Sequence, residues 1–321
     1  MNKIVFFFLI VVMPTYAQLK GCTDFLSKNY NSTAIVNDGS CNYKSLKIKP
    51  QYSKNLSDSI KETSGLLYFD ELFWTHNDDH DKTIYGLDSL GKIRKRIILN
   101  NAINHDWEEI SQDSSYLYIG DFGNNYSGNR VNLQILKIEK KSFLEGNPVI
   151  ETISFNYSDQ TDFNLKKPNT TNFDCEAFIV SKDSIYLFTK QWKSSKTSIY
   201  ALSKQAGNHI ANFKVTLNLK GLVTGAAYLE DKRLVALCGY SKIGKPFIYL
   251  LYAFNNHDFL SGNKRKIDLQ LSFHQIEGIA TRDGLHYYLT NESLVRKPVL
   301  NIPQQIHHFD LSPVLNSYLH K

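Results

Sequence analysis

Long apolar runs are almost missing from this 321-residue sequence. The one that exists, Ile4 to Met13, covers about ten residues, short of the ~20 that a membrane-crossing helix needs. It follows Lys3 and precedes Thr15-Tyr16-Ala17, the layout of an export signal with small residues at the cleavage point. Residues 1–17 are therefore expected to be removed, leaving a mature chain from Gln18 that is secreted, periplasmic or at the cell surface, with no membrane span. Helix-period segments are also nearly absent. Two Met stand against 19 Tyr and 19 Phe, a bias toward sheet. Basic blocks are missing as well. Lys and Arg number 37 against 31 Asp and Glu, for a net charge of +6, but they are scattered. The one tight cluster, Lys92-Ile93-Arg94-Lys95-Arg96, alternates like the solvent face of a strand. Without a basic stripe or a reader motif, nucleic acid is not an expected partner. There is no Walker-type phosphate loop and no Ser-His-Asp triad signature.

The four cysteines form two unlike pairs. Cys22 and Cys41 flank a polar, loop-rich segment that cannot build a core, so a disulfide there makes physical sense outside the cytoplasm. Cys175 and Cys238 lie in apolar strand-like runs and read as buried thiols, which behave as small hydrophobes.

What the sequence does contain is a repeat. Five segments share one pattern of polar or small residues followed by an apolar pair: Thr63-Ser64-Gly65-Leu66-Leu67, Trp107-Glu108-Glu109-Ile110, Cys175-Glu176-Ala177-Phe178, Val223-Thr224-Gly225-Ala226-Ala227 and Ile276-Glu277-Gly278-Ile279-Ala280. A second strand, a third, and in four units a more polar fourth follow each one. The signature positions 64, 108, 176, 224 and 277 are spaced 44, 68, 48 and 53 residues apart. About 45 residues per four-stranded blade is the period of a β-propeller. The expected fold is an all-β propeller over residues 45–321, with five four-stranded blades and an insertion near Ser142 to Thr171. A sixth blade hidden in the long second interval is the alternative. The fifth unit lacks a fourth strand, and Ser45-Leu46-Lys47-Ile48-Lys49 is expected to supply it from the N-terminus. Residues 18–44 form the small disulfide-closed module.

The first strand of a propeller blade lines the central channel, so Ser64, Glu108, Glu176, Thr224 and Glu277 are expected to converge. Three carboxylates on one axis repel unless they are protonated or neutralised by a cation. Hydroxyls and carboxylates are hard oxygen ligands suited to calcium, and no imidazole or thiolate joins them to suggest zinc or copper. The competing reading is that these glutamates only hydrogen-bond backbone N–H groups between blades.

The order Ser, Glu, Glu, Thr, Glu on five inner strands resembles the calcium-dependent apyrases, five-bladed propellers that hydrolyse nucleoside di- and triphosphates around a central calcium held by hydroxyls and glutamates. Leu117-Tyr118-Ile119-Gly120 with Phe122-Gly123, Asp78-Asp79 before Ile84-Tyr85, and Val235-Ala236-Leu237 with Ala253-Phe254 are similar to that family's second, first and fourth blades. Asp121 departs from the pattern by standing where a small residue is usual. Lys190-Gln191 stands where the family is more arginine-bearing. The resemblance implies Ca2+ as cofactor and a small polar or anionic ligand at the channel mouth. Asp78 and Asp121 would position water, with Asn77, Asn124, Lys190, Trp192 and Arg282 contacting the ligand. Ordinary turn chemistry explains much of such a rim equally well. Two other readings stay open: a non-catalytic extracellular module with a structural ion, and a phosphoesterase or lactonase-like hydrolase. Separately, Gly21-Cys22-Thr23-Asp24 through Asp38-Gly39-Ser40-Cys41-Asn42-Tyr43 resembles a short repeat common in secreted and surface proteins of Bacteroidetes-type bacteria, which reads as a disulfide-held spacer.

Overall fold

The computed structural model describes residues 18–320; the expected export signal lies outside them. Nearly all regular structure is strand, arranged as antiparallel four-stranded sets. The first set runs Thr63–Phe69, Leu72–Asn77, Thr83–Leu87 and Ile93–Ile98. The second runs Trp107–Gln112, Tyr116–Asp121, Gln134–Glu139 and Ile150–Tyr157. The third runs Cys175–Val180, Ile185–Thr189, Thr197–Leu202 and Gly207–Leu217, and its outer strand pairs in parallel with that of the second. The fourth runs Leu222–Leu229, Leu234–Tyr240, Pro246–Tyr252 and Asn263–Leu269. The last runs Ile276–Thr281, His286–Asn291 and Gln305–Asp310, completed by Tyr52–Asn55.

Each innermost strand packs on the next, and Ile276–Thr281 returns to pack on Thr63–Phe69, so the inner strands close a barrel-like, propeller-type cycle. The core is correspondingly divided into wedges between neighbouring sets. Trp74, Trp107, Leu117 and Phe143 fill the first gap, and Phe122, Phe155 and Phe178 the second. Phe188, Leu237 and Phe247 fill the third, Ile248, Leu250 and Tyr287 the fourth, and Phe73, Tyr288 and Ile306 the last. The inner and second strands are apolar almost throughout because sheet packs on both faces. The outer Gly207–Leu217 alternates because one face meets water.

The N-terminus corrects one expectation. Ser45–Lys49 does not complete the last set; Lys47–Ile48 instead pairs in parallel with Asp268–Leu269 at the edge of the fourth. Leu46 and Ile48 pack there against the core wedge containing Ile267 and Leu269. Pro50 lacks an N–H and interrupts the ladder. The chain then re-enters as Tyr52–Asn55, where Ser53 bonds His307 at 2.7 Å and the Tyr52 ring lies 5.1 Å from His308. The insertion expected near Ser142 to Thr171 is a short helix, Lys140–Leu144, and a long loop after Tyr157.

Cys22 and Cys41 are joined, while Cys175 and Cys238 are free and buried. The disulfide module is more than a spacer. The hydroxyls of Tyr43 and Tyr252 both donate to Asp24 Oδ2, at 2.9 and 2.7 Å. Arg265 stacks on Tyr43 and Asn37 bonds Asn263, so the module is fastened to the outer part of the fourth set.

Candidate cation site at the channel mouth

The signature residues reach the channel because the ladder skips them. Cys175 pairs with Thr189 and Ala177 with Phe188, leaving Glu176 without a cross-strand partner. Thr224 is skipped between Val223 and Gly225, and Glu277 between Ile276 and Gly278. Glu108 is skipped between Trp107, opposite Asp121, and Glu109, opposite Gly120. In the first set the irregularity falls just after Ser64. Such bulges re-aim a side chain, and their recurrence at one level of the cycle gathers these groups.

The gathered groups divide into two levels. At the waist, Ser64 Oγ donates to the Glu108 carbonyl at 2.7 Å, and the Thr224 hydroxyl donates to the Ile276 carbonyl. Each hydroxyl thus ties its strand to the next. Glu109 closes the waist: its oxygens accept from the N–H groups of Ile110 at 2.9 Å and Ala226 at 2.6 Å, and also from Leu66. Gly65 and Gly225 leave room for it, since a Cβ at either would stand 3.0 or 3.3 Å from its carboxylate. Burial pushes the Glu109 pKa well up, against the pull of the three N–H donors.

Above the waist, the carboxylates face one another. Oxygens of Glu108, Asp174 and Glu176 all lie within 4.8 Å of each other, and all three residues are buried. Lys190 Nζ sits 3.0 Å from Glu176 Oε2, between the rings of Trp192 and Tyr240 at 4.8 and 5.3 Å. Trp192 Nε1 donates to Asp174 Oδ2 at 2.6 Å, and the Asn124 N–H donates to Asp174 Oδ1 at 2.7 Å. Glu176 Oε1 and Glu277 Oε2 are buried without a hydrogen-bond partner. Burial, then repulsion from Glu176, Asp106 and Asp174, holds Glu108 well above the carboxylate range. Burial also raises Glu277 to about 8, despite the pull of Lys190. Asp106 is lifted to about 6 by burial and then by Asp174. Burial works against the Lys190 charge, but Glu176 and the other anions keep it protonated.

Nearer the opening, Glu62, Asp78 and Asp79 form a second acidic group. Asp78 Oδ1 has no partner, and burial followed by Glu292 and Glu62 raises Asp78 to about 8. Where Trp192 and Tyr240 flank Lys190, a cleft of about 770 Å³ opens, lined also by Lys242, Phe273, Gln275 and Arg296, among others.

The other expected site residues, Asp121 as a catalytic residue and Asn77 and Arg282 as ligand contacts, are differently placed. Asp121 is fully buried with both oxygens engaged: Oδ1 by Arg130 at 2.9 Å and the Asp106 N–H at 3.2 Å, Oδ2 by His105 at 2.7 Å and Gln134 at 3.0 Å. Asn77 bonds Ser59, Asp81 and the Glu62 N–H, so it holds the rim loop. Arg282 follows the far end of Ile276–Thr281 and lies over Tyr68. Lys190 stands at the opposite end of the channel, bonded through its N–H to the Asp174 carbonyl before Cys175. These two cations do not share a mouth.

Sequence reasoning missed Asp174 and Asp106. Both precede a signature glutamate by two residues, as Asp-x-Glu at 106–108 and 174–176, with Glu62-x-Ser64 alongside. Side chains two apart on an extended chain share a side, so this doubling was a readable signal.

The donor set suits the calcium implied by the resemblance. It consists of hard oxygens, its members are pressed together, and two buried carboxylate oxygens lack partners. Gly123 permits the crowding: a Cβ there would fall 2.3 Å from Asp106 and Glu108 oxygens. Fold and site together define a propeller-type, all-β protein with an acidic channel mouth.

No family model matches the chain, and no curated protein is similar to it in sequence. Among solved structures it is similar to the PQQ-bound aldose sugar dehydrogenase of Streptomyces coelicolor, at 8% identity and TM-score 0.43 over 80% of this chain and 98% of that one. It is also similar to a streptogramin B lyase, at 13% identity and TM-score 0.36 over 81% and 73%. A third is hydrazine synthase of Kuenenia stuttgartiensis, at 10% identity and TM-score 0.44 over 83% and 81%. At these scores the likenesses say nothing about what this chain binds.

Proposed function

We propose that the chain is an exported five-bladed propeller that binds Ca2+ at its channel mouth and, through the ion and the adjoining cleft, a small anionic ligand. Glu108, Asp174 and Glu176 would hold the ion, with Glu277 completing the anionic wall. The observation that carries this reading is the buried Glu176 Oε1, left without a partner inside a cluster of mutually repelling carboxylates. A cation supplies what that oxygen lacks, and bound calcium attracts phosphate or carboxylate oxygens. Lys190 shares the anionic wall and leaves net negative charge for the ion to balance. Calorimetric titration with calcium tests the reading. Binding by the wild type that is lost in Asp174→Asn supports it; no binding, with a melting temperature indifferent to chelator, rejects it.

A hydrolase is the second reading, and the partnerless Asp78 Oδ1 favours it. A carboxyl with its pKa near 8 exchanges a proton near neutral pH and would take a proton from a substrate water. Lys190 would orient an anionic substrate, and Trp192 and Tyr240 would shield it from bulk water. Asp121 has no free lone pair directed at the opening and acts through the loop it orders. Phosphate release from nucleoside di- and triphosphates, with and without calcium, tests this. Release abolished by Asp78→Asn supports catalysis. Calcium binding without turnover of these substrates, simple phosphoesters or lactones leaves the non-catalytic module.

A further inference from the structure

The opposite side of the same mouth has a different character. Loops 241–245 and 270–275, and the hairpin formed by Leu294–Arg296 and Leu300–Ile302, contain no Asp or Glu. They carry Lys242, Lys245, Arg296 and Lys297, all exposed. Among these cations stand large apolar side chains in water: Ile243 is 68% exposed, Phe273 52%, Val295 50% and Val299 88%. The loops form one surface, since Ile243, Phe273 and Arg296 line the same cleft and the Phe273 N–H bonds the Gly244 carbonyl at 2.9 Å.

Phe273 is held outward by its backbone. Its φ is 63°, a left-handed conformation that a bulky residue avoids. Gly244, at φ 69°, turns beneath it, and a Cβ there would lie 3.0 Å from the Phe273 ring. Such a conformation persists only where the surrounding structure over-determines it, and it keeps the ring in water.

We propose that this sector of the mouth docks on an anionic lipid bilayer. Aliphatic tips set among cations, with no acid between them, match a surface of phosphate headgroups over hydrocarbon: the cations meet the headgroups and the tips enter the boundary. An anionic glycan or other polyanion satisfies the cations but gives Ile243 and Val299 nothing to bury in. The charge complementarity is confined to this sector, because the facing loops carry Glu62, Asp78, Asp79 and Asp81. Docked this way, the protein turns its acidic site and cleft toward the membrane. The inference does not depend on calcium.

Flotation of the expected mature chain, residues 18–321, with phosphatidylcholine vesicles, and with the same vesicles containing phosphatidylglycerol, tests it; chelator is present so that calcium cannot bridge. Binding is expected only with phosphatidylglycerol, weakened about fivefold by Lys242→Gln or by Arg296→Gln, the effect of one cation at an anionic surface. Ile243→Ser combined with Val299→Ser should also release the protein, with its melting temperature unchanged. Failure of the wild type to float, or flotation equal in all variants, overturns the proposal. So does binding to heparin that the Ile243/Val299 variant retains while vesicles are ignored, which would assign the surface to a soluble polyanion.

Discussion

Glu108 and Glu109 are adjacent, identical in type and both buried, yet they belong to different regions of the channel. Glu109 lies in the ladder opposite Gly120 and points to the waist, where three backbone N–H groups receive its carboxylate. Glu108 is skipped by the ladder and points to the mouth, among Asp106, Asp174 and Glu176. The bulge at Glu108 breaks the regular alternation of the strand, so both side chains reach the channel at different levels, and one step converts a carboxylate that ties the ring into one that needs a cation. What separates structural from functional acid here is the donors it meets, rather than its burial.

The same substitution at the two positions should break this symmetry most sharply. Glu109→Gln places an amide NH2 against a backbone N–H on at least one side of the waist. A buried donor left unsatisfied costs about 1–3 kcal/mol, and two such donors facing each other put the expected loss at the upper end. Urea unfolding in chelator would read it. If Glu109→Gln is as stable as the wild type, the waist does not hold the ring. Asp121→Asn should come next. It removes the charge facing Arg130 and His105, with Arg130 only 16% exposed, and about 2 kcal/mol is expected, below the 3–5 of a fully buried broken pair. The calcium response should survive, because Asp121 does not face the cluster. Loss of that response would place loop 104–106 in the ion site.

The inner strands were legible in advance, as were Glu108, Glu176, Glu277, Lys190, Trp192 and Asp78 as residues of the channel and its mouth; Glu109 at the waist and Asp106 and Asp174 at the mouth were not. The repeat of small, polar and apolar residues gives the inner strands their places because a buried strand must be apolar on both faces, and Gly65 and Gly225 mark where a carboxylate approaches the backbone closely. The strand that completes the last set was misplaced by a few residues. Leu46/Ile48 and Tyr52/Lys54 alternate equally well, and only the partners at His307 and His308 distinguish them. Asp174 was hidden because it precedes the apolar run that draws attention. Lys190 was read as a rim cation; its pairing with Glu176 joins the ends of two antiparallel strands and depends on the bulge at Glu176.

The pH response separates the two regions more gently. Asp78 and Glu277 have native pKa values of about 8 and Asp106 of about 6, against roughly 4 for an unfolded carboxylate. Between about pH 4 and pH 8 the native chain therefore holds more protons than the unfolded one, and its stability falls as pH rises through that window. The metal-free urea midpoint should be highest near the acidic end and lowest near pH 8. Calcium replaces the protons, so its stabilising shift should grow with pH. A metal-free midpoint that rises between pH 5 and pH 8 would mean that the mouth carboxylates are already neutralised by Lys190 and their hydrogen bonds.

The smallest effect on metal-free stability, and the most discriminating one, is expected for Glu108→Gln. The amide keeps the volume and removes one of the facing anions, so stability in chelator should be unchanged or rise by about 1 kcal/mol, while the calcium-induced shift in melting temperature collapses. The paired outcome matters more than either half. If Glu108→Gln loses stability in chelator as Glu109→Gln does, both glutamates tie the ring and the mouth needs no ion. If it leaves both stability and the calcium shift intact, the ion is held elsewhere, and the group of Glu62, Asp78 and Asp79 becomes its site. Only a variant that is stable without calcium and indifferent to it separates the mouth from the waist, because the cost of gathering those carboxylates then vanishes together with the need for a cation.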